Sequence, residues 1–181
     1  MSDESKRLHA GANALGVELS MQQRATLLRL LDELEQWNRA YNLTAVTDRA
    51  EMLDLHLLDS LSASAELKGE RIADVGTGAG FPGLPLAVLH PKWQFTLLDS
   101  NGKKIRFVTH AARTLGLANV QAVQSRAEAL KPAAPFDTVL ARAVAPLPKL
   151  LNAVRTLCDG NTRVVALKGR QPAAELAELP A

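Results

Sequence analysis

The sequence predicts an α/β fold: a mostly parallel sheet flanked by helices and preceded by a helical segment. Three observations carry this expectation. From residue 71 onward short apolar runs alternate with amphipathic stretches, giving strands near 71–75, 94–99, 120–124, 136–141 and 162–167. The first of these runs leads straight into a glycine-rich turn and a helix containing proline near its start, the usual exit from a buried parallel strand. Residues 1–60 carry helical periodicity instead. With no repeat or low-complexity linker between the two regions, a helical extension over 1–66 is expected to pack on a core over 67–181.

The elements follow in order. Ser20 and Gln23 have the spacing of a capping box, and Leu27, Leu28, Leu31, Leu34 and Trp37 repeat at helical intervals up to Tyr41. Trp37 continues this stripe and reads as a core anchor, while Asn38 and Asn42 suit the end of the helix through local hydrogen bonds. Asp48 is placed to cap a further helix containing Met52, Leu53, Leu55 and Leu58. His56 and Asp59 lie three apart on one face of it, close enough for a side-chain pair, and read as structural residues beside the pocket rather than as an acid–base pair. After residue 71, strand, turn and helix recur in the alternation that requires right-handed crossovers.

Residues 71–85, RIADVGTGAGFPGLP, decide most of the chemistry. A glycine turn after a buried strand lets backbone N–H groups approach a ligand closely, and the following helix N-terminus favours a polar group there. Two frames compete. From Gly78 the letters satisfy the dinucleotide pattern GxGxxG; from Asp74 they give D-x-G-x-G-x-G, with Gly76, Gly78 and Gly80, a pattern found in S-adenosylmethionine-dependent methyltransferases. The second frame fits the strand better, because Asp74 then closes it and Gly76 opens the turn. A carboxylate there repels pyrophosphate but accepts hydrogen bonds, directly or through water, from the ammonium of a methionine moiety. Asp99 ends the second strand and suits both hydroxyls of a ribose in either cofactor class.

Composition limits the partners. The chain has 181 residues, 47% of them hydrophobic, which suffices for one domain with a substantial core. No apolar run approaches the roughly 18 residues of a membrane span, and MSDESKRLHAG has no apolar signal core, so a cytoplasmic protein is expected. The single cysteine, Cys158, excludes an internal disulfide or a CxxC metal site and reads as a core residue in an apolar helical stretch; with four scattered histidines, no structural zinc is expected. Net charge is only +2, yet residues 1–99 hold 9 basic and 14 acidic side chains and residues 100–181 hold 12 and 5. A basic carboxyl-terminal half, with Lys103, Lys104, Arg106 and Arg142 near strand ends, suits a polyanionic substrate.

The motifs WNRAYNLTAV (37–46), HLLDSL (56–61), DVGTGAGFPGLPLA (74–87), LLDSNGKKIRF (97–107), QSRAEAL (124–130), FDTVLARA (136–143) and ALKG (166–169) together make the chain similar to the small-subunit ribosomal RNA guanine-N7 methyltransferase family, glucose-inhibited division protein B type. The resemblance covers essentially the whole chain. It implies a Rossmann-like class I S-adenosylmethionine methyltransferase fold and the cofactor S-adenosyl-L-methionine. It also implies, as substrate, guanosine 527 in the 530 loop of 16S ribosomal RNA, free or within the small subunit. Position by position, it implies cofactor contact at Gly76 and Phe81, ribose binding at Asp99, the adenine end at Ala127 and Glu128, and a place at the pocket mouth for Arg142. Lys103, Lys104, Arg106 and Lys168 are weaker candidates for RNA contact, and a monomer is the default.

The residues agree with N7 chemistry. Guanine N7 carries an in-plane lone pair and needs no general base. The element Ala141-Arg142-Ala143-Val144 lacks the Asn/Asp-Pro-Pro-aromatic sequence often used on exocyclic amines, and Cys158 is misplaced for carbon-5 attack. Alternatives from other classes are a methyltransferase acting on another RNA or a small molecule, a dinucleotide-binding dehydrogenase, and a non-catalytic RNA-binding protein. Sheets of the implied type usually finish with two more strands, whereas only a possible helix at 172–179 follows the fifth run here. An open edge with unpaired backbone groups is therefore expected.

Overall fold

The computed structural model describes residues 2–142, 145–168 and Leu176. Helices α1 (Asp3–Ala14) and α2 (Met21–Tyr41) open the chain. The capping box of α2 forms as expected: Gln23 N–H donates to the Ser20 hydroxyl at 3.1 Å and Ser20 N–H to the Gln23 side chain at 2.9 Å. Leu27, Leu30, Leu31 and Leu34 are the buried leucines of α2, so Leu30 rather than Leu28 belongs to the deepest stripe. Asn42 ends the helix in the left-handed region at φ 49°, and the Asn38 side chain brackets the turn by accepting from Thr44 N–H and donating to its carbonyl.

Asp48 caps α3 (Arg49–Met52) by accepting from Glu51 N–H at 2.9 Å. The helix then widens into a π-helical turn, Leu53–Leu58, before tightening into α4 (Asp59–Ser62) and a 3₁₀ turn, Ala63–Glu66. This widening rotates the buried face. Met52, Leu53, Leu57 and Leu61 enter the core, while Leu55 is half exposed. Insertions of this kind are frequent at functional sites, and here the turn carries His56.

The sheet comprises β1 (Arg71–Val75), β2 (Gln94–Asp99), β3 (Val120–Gln124), β4 (Thr138–Arg142) and β5 (Arg163–Leu167). All pairs are parallel, in the order β3-β2-β1-β4-β5. Helices α5 (Gly83–Leu89) and α6 (Gly102–Leu115) connect β1 to β2 and β2 to β3, and α7 (Leu147–Val154) connects β4 to β5. Side chains alternate between two packed faces. Ile72, Phe95, Leu97 and Leu140 join one core cluster with α1, α2, α5 and α6; Ala73, Val75, Leu98, Val139 and Ala141 meet α7 on the other face. The extension and the sheet therefore share one contiguous apolar cluster.

The fourth strand begins two residues later than expected, because Phe136 N–H bonds the Leu157 carbonyl outside the ladder. Cys158 lies just past a 3₁₀ turn, Arg155–Leu157, in extended conformation and half-buried against the second cluster, rather than within a helix. Among the described residues β5 is a sheet edge, and its side chains are half-buried or exposed where most of those of β4 are buried. Apart from Leu176, the segment 172–179 lies outside the described residues. No described helix is long and apolar enough to cross a membrane.

Candidate functional site

Chain order reverses on either side of β1, whose neighbours are β2 and β4. In such sheets a crevice opens beyond the carboxyl ends of the strands at that point. A cavity of about 580 Å³ lies there, lined by the glycine turn, the ends of β2 and β4, the segment after β3 and part of the helical extension. Its volume is within the range of small-molecule and cofactor sites.

Asp74 holds the turn from below. Fully buried, it accepts on Oδ2 from the Thr77 hydroxyl at 2.6 Å and from Gly83 N–H at 2.9 Å, tying the loop to the first turn of α5. Burial pushes its pKa up to about 6, against the lowering influence of those hydrogen bonds and of Arg142. Its Oδ1 is also buried and has no partner among the described residues. The sequence suggested a carboxylate that accepts from the ligand directly or through water; in the structure Asp74 also braces the loop from beneath, and it is not among the residues that line the cavity.

Above it, Gly76 and Gly78 line the cavity, whereas Gly80 does not. At φ 89° Gly80 sits in the left-handed region, and a Cβ there would stand 2.3 Å from the Leu84 side chain, so its role is to let the turn close on α5. Gly78, at φ 61°, donates its N–H to Asp99 Oδ2 at 3.0 Å. Asp99 Oδ1 accepts from Asn101 N–H at 2.8 Å. Each carboxylate oxygen thus has one backbone donor fixing its direction and a second lone pair for a ligand hydroxyl.

Ala127 and Glu128, in the 3₁₀ turn Ala127–Ala129, line the far end of the cavity. Phe81 is buried behind the turn and stacks on His56, ring centroids 4.8 Å apart. Arg142, at the end of β4, reaches across to the extension, donating to the Leu55 carbonyl at 3.0 Å and to Asp59 at 3.2 Å, with its guanidinium 5.9 Å from the Phe81 ring centre. The possible His56–Asp59 pair is thereby replaced: Asp59 serves Arg142, and His56 Nε2 hydrogen-bonds the Thr44 hydroxyl at 3.1 Å.

Of the basic candidates, Lys104 lines the cavity, its ammonium 3.9 Å from where a Cβ on Gly78 would stand. Lys103 and Arg106 lie on α6 outside the lining, and Lys168 donates to the Ala145 carbonyl at 2.8 Å. Sequence reasoning gave no cavity role to Leu43 and Thr44, which line it together with His56, a residue expected to be structural beside the pocket. The signal was present in the motifs WNRAYNLTAV and HLLDSL, but no residue spacing tells that a loop from the extension closes over the sheet. Among the described residues no group of three or more His, Cys, Asp or Glu could hold a metal ion.

His56 is held neutral. Burial, then the nearby Arg142, pull its pKa from 6.5 down to about 4, against the raising influence of its backbone hydrogen bond and Asp59. The unfolded chain therefore binds more protons at this group, and the stability it contributes is full above pH 6.5 and lost as pH falls toward 4. Asp74 has the opposite sign: raised from 3.8 to about 6, it favours the native state below 3.8, and that contribution is lost as pH rises through 6. The two slopes oppose each other in the acid range. In urea melts, the stability difference between wild type and His56→Asn is expected to shrink as pH falls from about 7 to about 4.5; a constant difference would contradict the neutral imidazole.

The architecture and the sequence have known relatives. Solved structures similar in fold include precorrin-6y C5,15-methyltransferase from Geobacter metallireducens GS-15 (TM-score 0.55, 16% identity, covering 76% of this chain and 71% of that one). A second is the S-adenosylhomocysteine-bound methyltransferase PaMTH1 from Podospora anserina (TM-score 0.55, 18% identity, 76% and 60%). The fold is thus that of the Rossmann-like class I methyltransferases. In sequence, the chain is 51% identical over 174 residues to the ribosomal RNA small subunit methyltransferase G of Methylococcus capsulatus, covering 96% of this chain and 85% of that protein. It is 48% identical over 180 residues to the protein of the same name from Pseudomonas fluorescens, covering 99% and 84%. The family model described as GidB, rRNA small subunit methyltransferase G, matches residues 23–181. With a match of that extent and relatives about half identical over nearly its whole length, the chain belongs to the rRNA small subunit methyltransferase G family.

Proposed function

We propose that this protein transfers the methyl group of S-adenosyl-L-methionine to N7 of a guanine in 16S ribosomal RNA, guanosine 527 of the 530 loop, as a cytoplasmic monomer acting on the small subunit or its assembly intermediates. The observation that carries the reading is the Asp99 carboxylate, aimed by two backbone donors at the cavity beside a left-handed glycine turn. The relatives' names support ribosomal RNA as the substrate.

The residues present fit the cofactor. Gly76 and Gly78 offer backbone to its methionine part, and Asp99 accepts from both ribose hydroxyls. Ala127 N–H and the Glu128 carboxylate suit the adenine edge, and Phe81 closes the apolar floor. Asp74 acts through the loop that it braces, and its unpartnered oxygen is an acceptor for an ammonium or a bridging water. Arg142, Lys104 and, further out, Lys103, Arg106 and Lys168 form the basic approach for RNA.

When bound, S-adenosylmethionine supplies a sulfonium methyl whose carbon accepts the N7 lone pair as its bond to sulfur breaks, so the positive charge passes to the guanine. The chain's part is alignment and field. No group must take a proton, which accords with a buried neutral His56 as the histidine lining the cavity. A neutral imidazole also adds no charge against a cation that moves across the site. We read the division between 1–66 and 67–181 functionally: the core holds the cofactor, and the extension, through Thr44, His56 and the Arg142 clasp, roofs the place where the base enters.

Nucleoside analysis of 16S RNA after incubation with enzyme and cofactor tests the reaction. Appearance of 7-methylguanosine is expected; methylation of an exocyclic amine or a pyrimidine carbon in its place would overturn the base-free chemistry.

A further inference from the structure

Tyr41, the last residue of α2, is 41% exposed, yet its ring is not loosely held. It lies 5.2 Å from the Trp37 ring at an interplanar angle of 33°. Trp37 in turn packs edge-on against buried Phe107 at 5.7 Å and against the His110 ring at 4.8 Å, and His110 is fixed by Glu33 at 2.6 Å. A chain of ring contacts thus runs from the core to the surface and ends in a partly exposed ring. Arg106 on α6 lies over it, the guanidinium carbon 6.0 Å from the ring centroid. Arg39 and Lys103, both exposed, carry further positive charge on the same two helices.

The position of this surface is as telling as its composition. On α2 the chain runs from Tyr41 directly to Leu43 and Thr44, which line the cavity; on α6, Arg106 lies two residues beyond Lys104, which lines it too. The loop that follows α2 and the first turns of α6 therefore border the site, although Arg106 and Lys104, two residues apart, leave α6 on different sides. An exposed aromatic ring on a fixed base, flanked by a guanidinium plane, is the arrangement on which unpaired bases stack, with the cation meeting the adjacent phosphate.

We infer that Tyr41 and Arg106 form a stacking platform for an unpaired ribonucleotide next to the target guanine, holding the RNA strand while the guanine enters the cavity. This inference rests on the proposed RNA substrate. It adds a residue, Tyr41, that contacts RNA through its ring face, and it gives Arg106 a defined task at that ring.

The test compares wild type, Tyr41→Phe, Tyr41→Leu, Tyr41→Ala and Arg106→Ala in methyl transfer to small subunits lacking the modification, alongside cofactor titration and thermal unfolding. Tyr41→Phe is expected to behave as wild type. Tyr41→Ala and Tyr41→Leu are expected to raise KM for subunits about tenfold with cofactor affinity unchanged; leucine keeps an apolar contact with Trp37 but offers no ring face, so it separates stacking from packing. Arg106→Ala is expected to raise KM and to reduce the dependence of log KM on log salt by about one unit, which the tyrosine variants leave intact. An unchanged KM in Tyr41→Leu, or a KM increase matched by lost cofactor affinity, would overturn the platform while leaving the methyltransferase reading in place. A wild-type enzyme that binds cofactor but labels no ribosomal RNA would overturn that reading and the platform with it.

Discussion

Asp74→Ala is expected to lower the unfolding free energy by on the order of 2–4 kcal/mol and to remove cofactor binding with it. The carboxylate is fully buried and holds two donors, the Thr77 hydroxyl and Gly83 N–H, that have no water to turn to; Thr77 itself is 1% exposed. Truncation leaves both unsatisfied and releases the glycine turn from α5. Asp74→Asn keeps an acceptor oxygen for the two donors and puts an amide N–H₂ where Oδ1 now has no partner, so its cost should be smaller, about 1 kcal/mol. Urea unfolding measures both. An alanine variant as stable as wild type would show that the loop does not depend on this brace.

The second large effect falls on binding. Asp99→Ala is expected to weaken S-adenosylhomocysteine, measured by calorimetry, by about 1–3 kcal/mol, or roughly 5- to 150-fold. Two contributions act together: the ribose hydroxyls lose their acceptor, and Gly78 N–H loses the partner that fixes the turn. Because Asp99 is only half-buried, water can replace it in the free protein, and the change in stability should stay within about 1 kcal/mol. The pair of variants thus separates a residue that builds the loop from one that meets the ligand. Unchanged affinity in Asp99→Ala would move the ribose elsewhere.

Much of this was legible in the sequence, for local reasons. The capping box at Ser20 and Gln23, the strand running to Asp74, the glycine turn after it and the acid at Asp99 follow from backbone rules acting over a few residues, and the structure has each of them. Reading failed where the third dimension intervenes. Nothing in the letters shows that a strand-end carboxylate also holds its own loop, so the bonds of Asp74 to Thr77 and Gly83 were not foreseen. A π-helical turn has no reliable sequence signature; it put Leu55 outside and His56 against Phe81. The clasp of Arg142 on Leu55 and Asp59 joins residues more than eighty positions apart, a contact set by how the extension docks.

The clasp also shows how the two regions act as one site. The salt bridge between Arg142 and Asp59 is partly exposed and contributes little stability by itself. Its effect is geometric: it holds the extension's π-helical turn over Phe81, so that Thr44 and His56 from one region and the glycine turn from the other face the same cavity.

The most direct test of the central claim is methyl transfer from labelled S-adenosylmethionine to small ribosomal subunits lacking the modification, with the labelled position mapped by the strand scission that 7-methylguanine permits. A single labelled guanine, in the 530 loop, is the predicted result. Cofactor binding without any label in 16S RNA would contradict it.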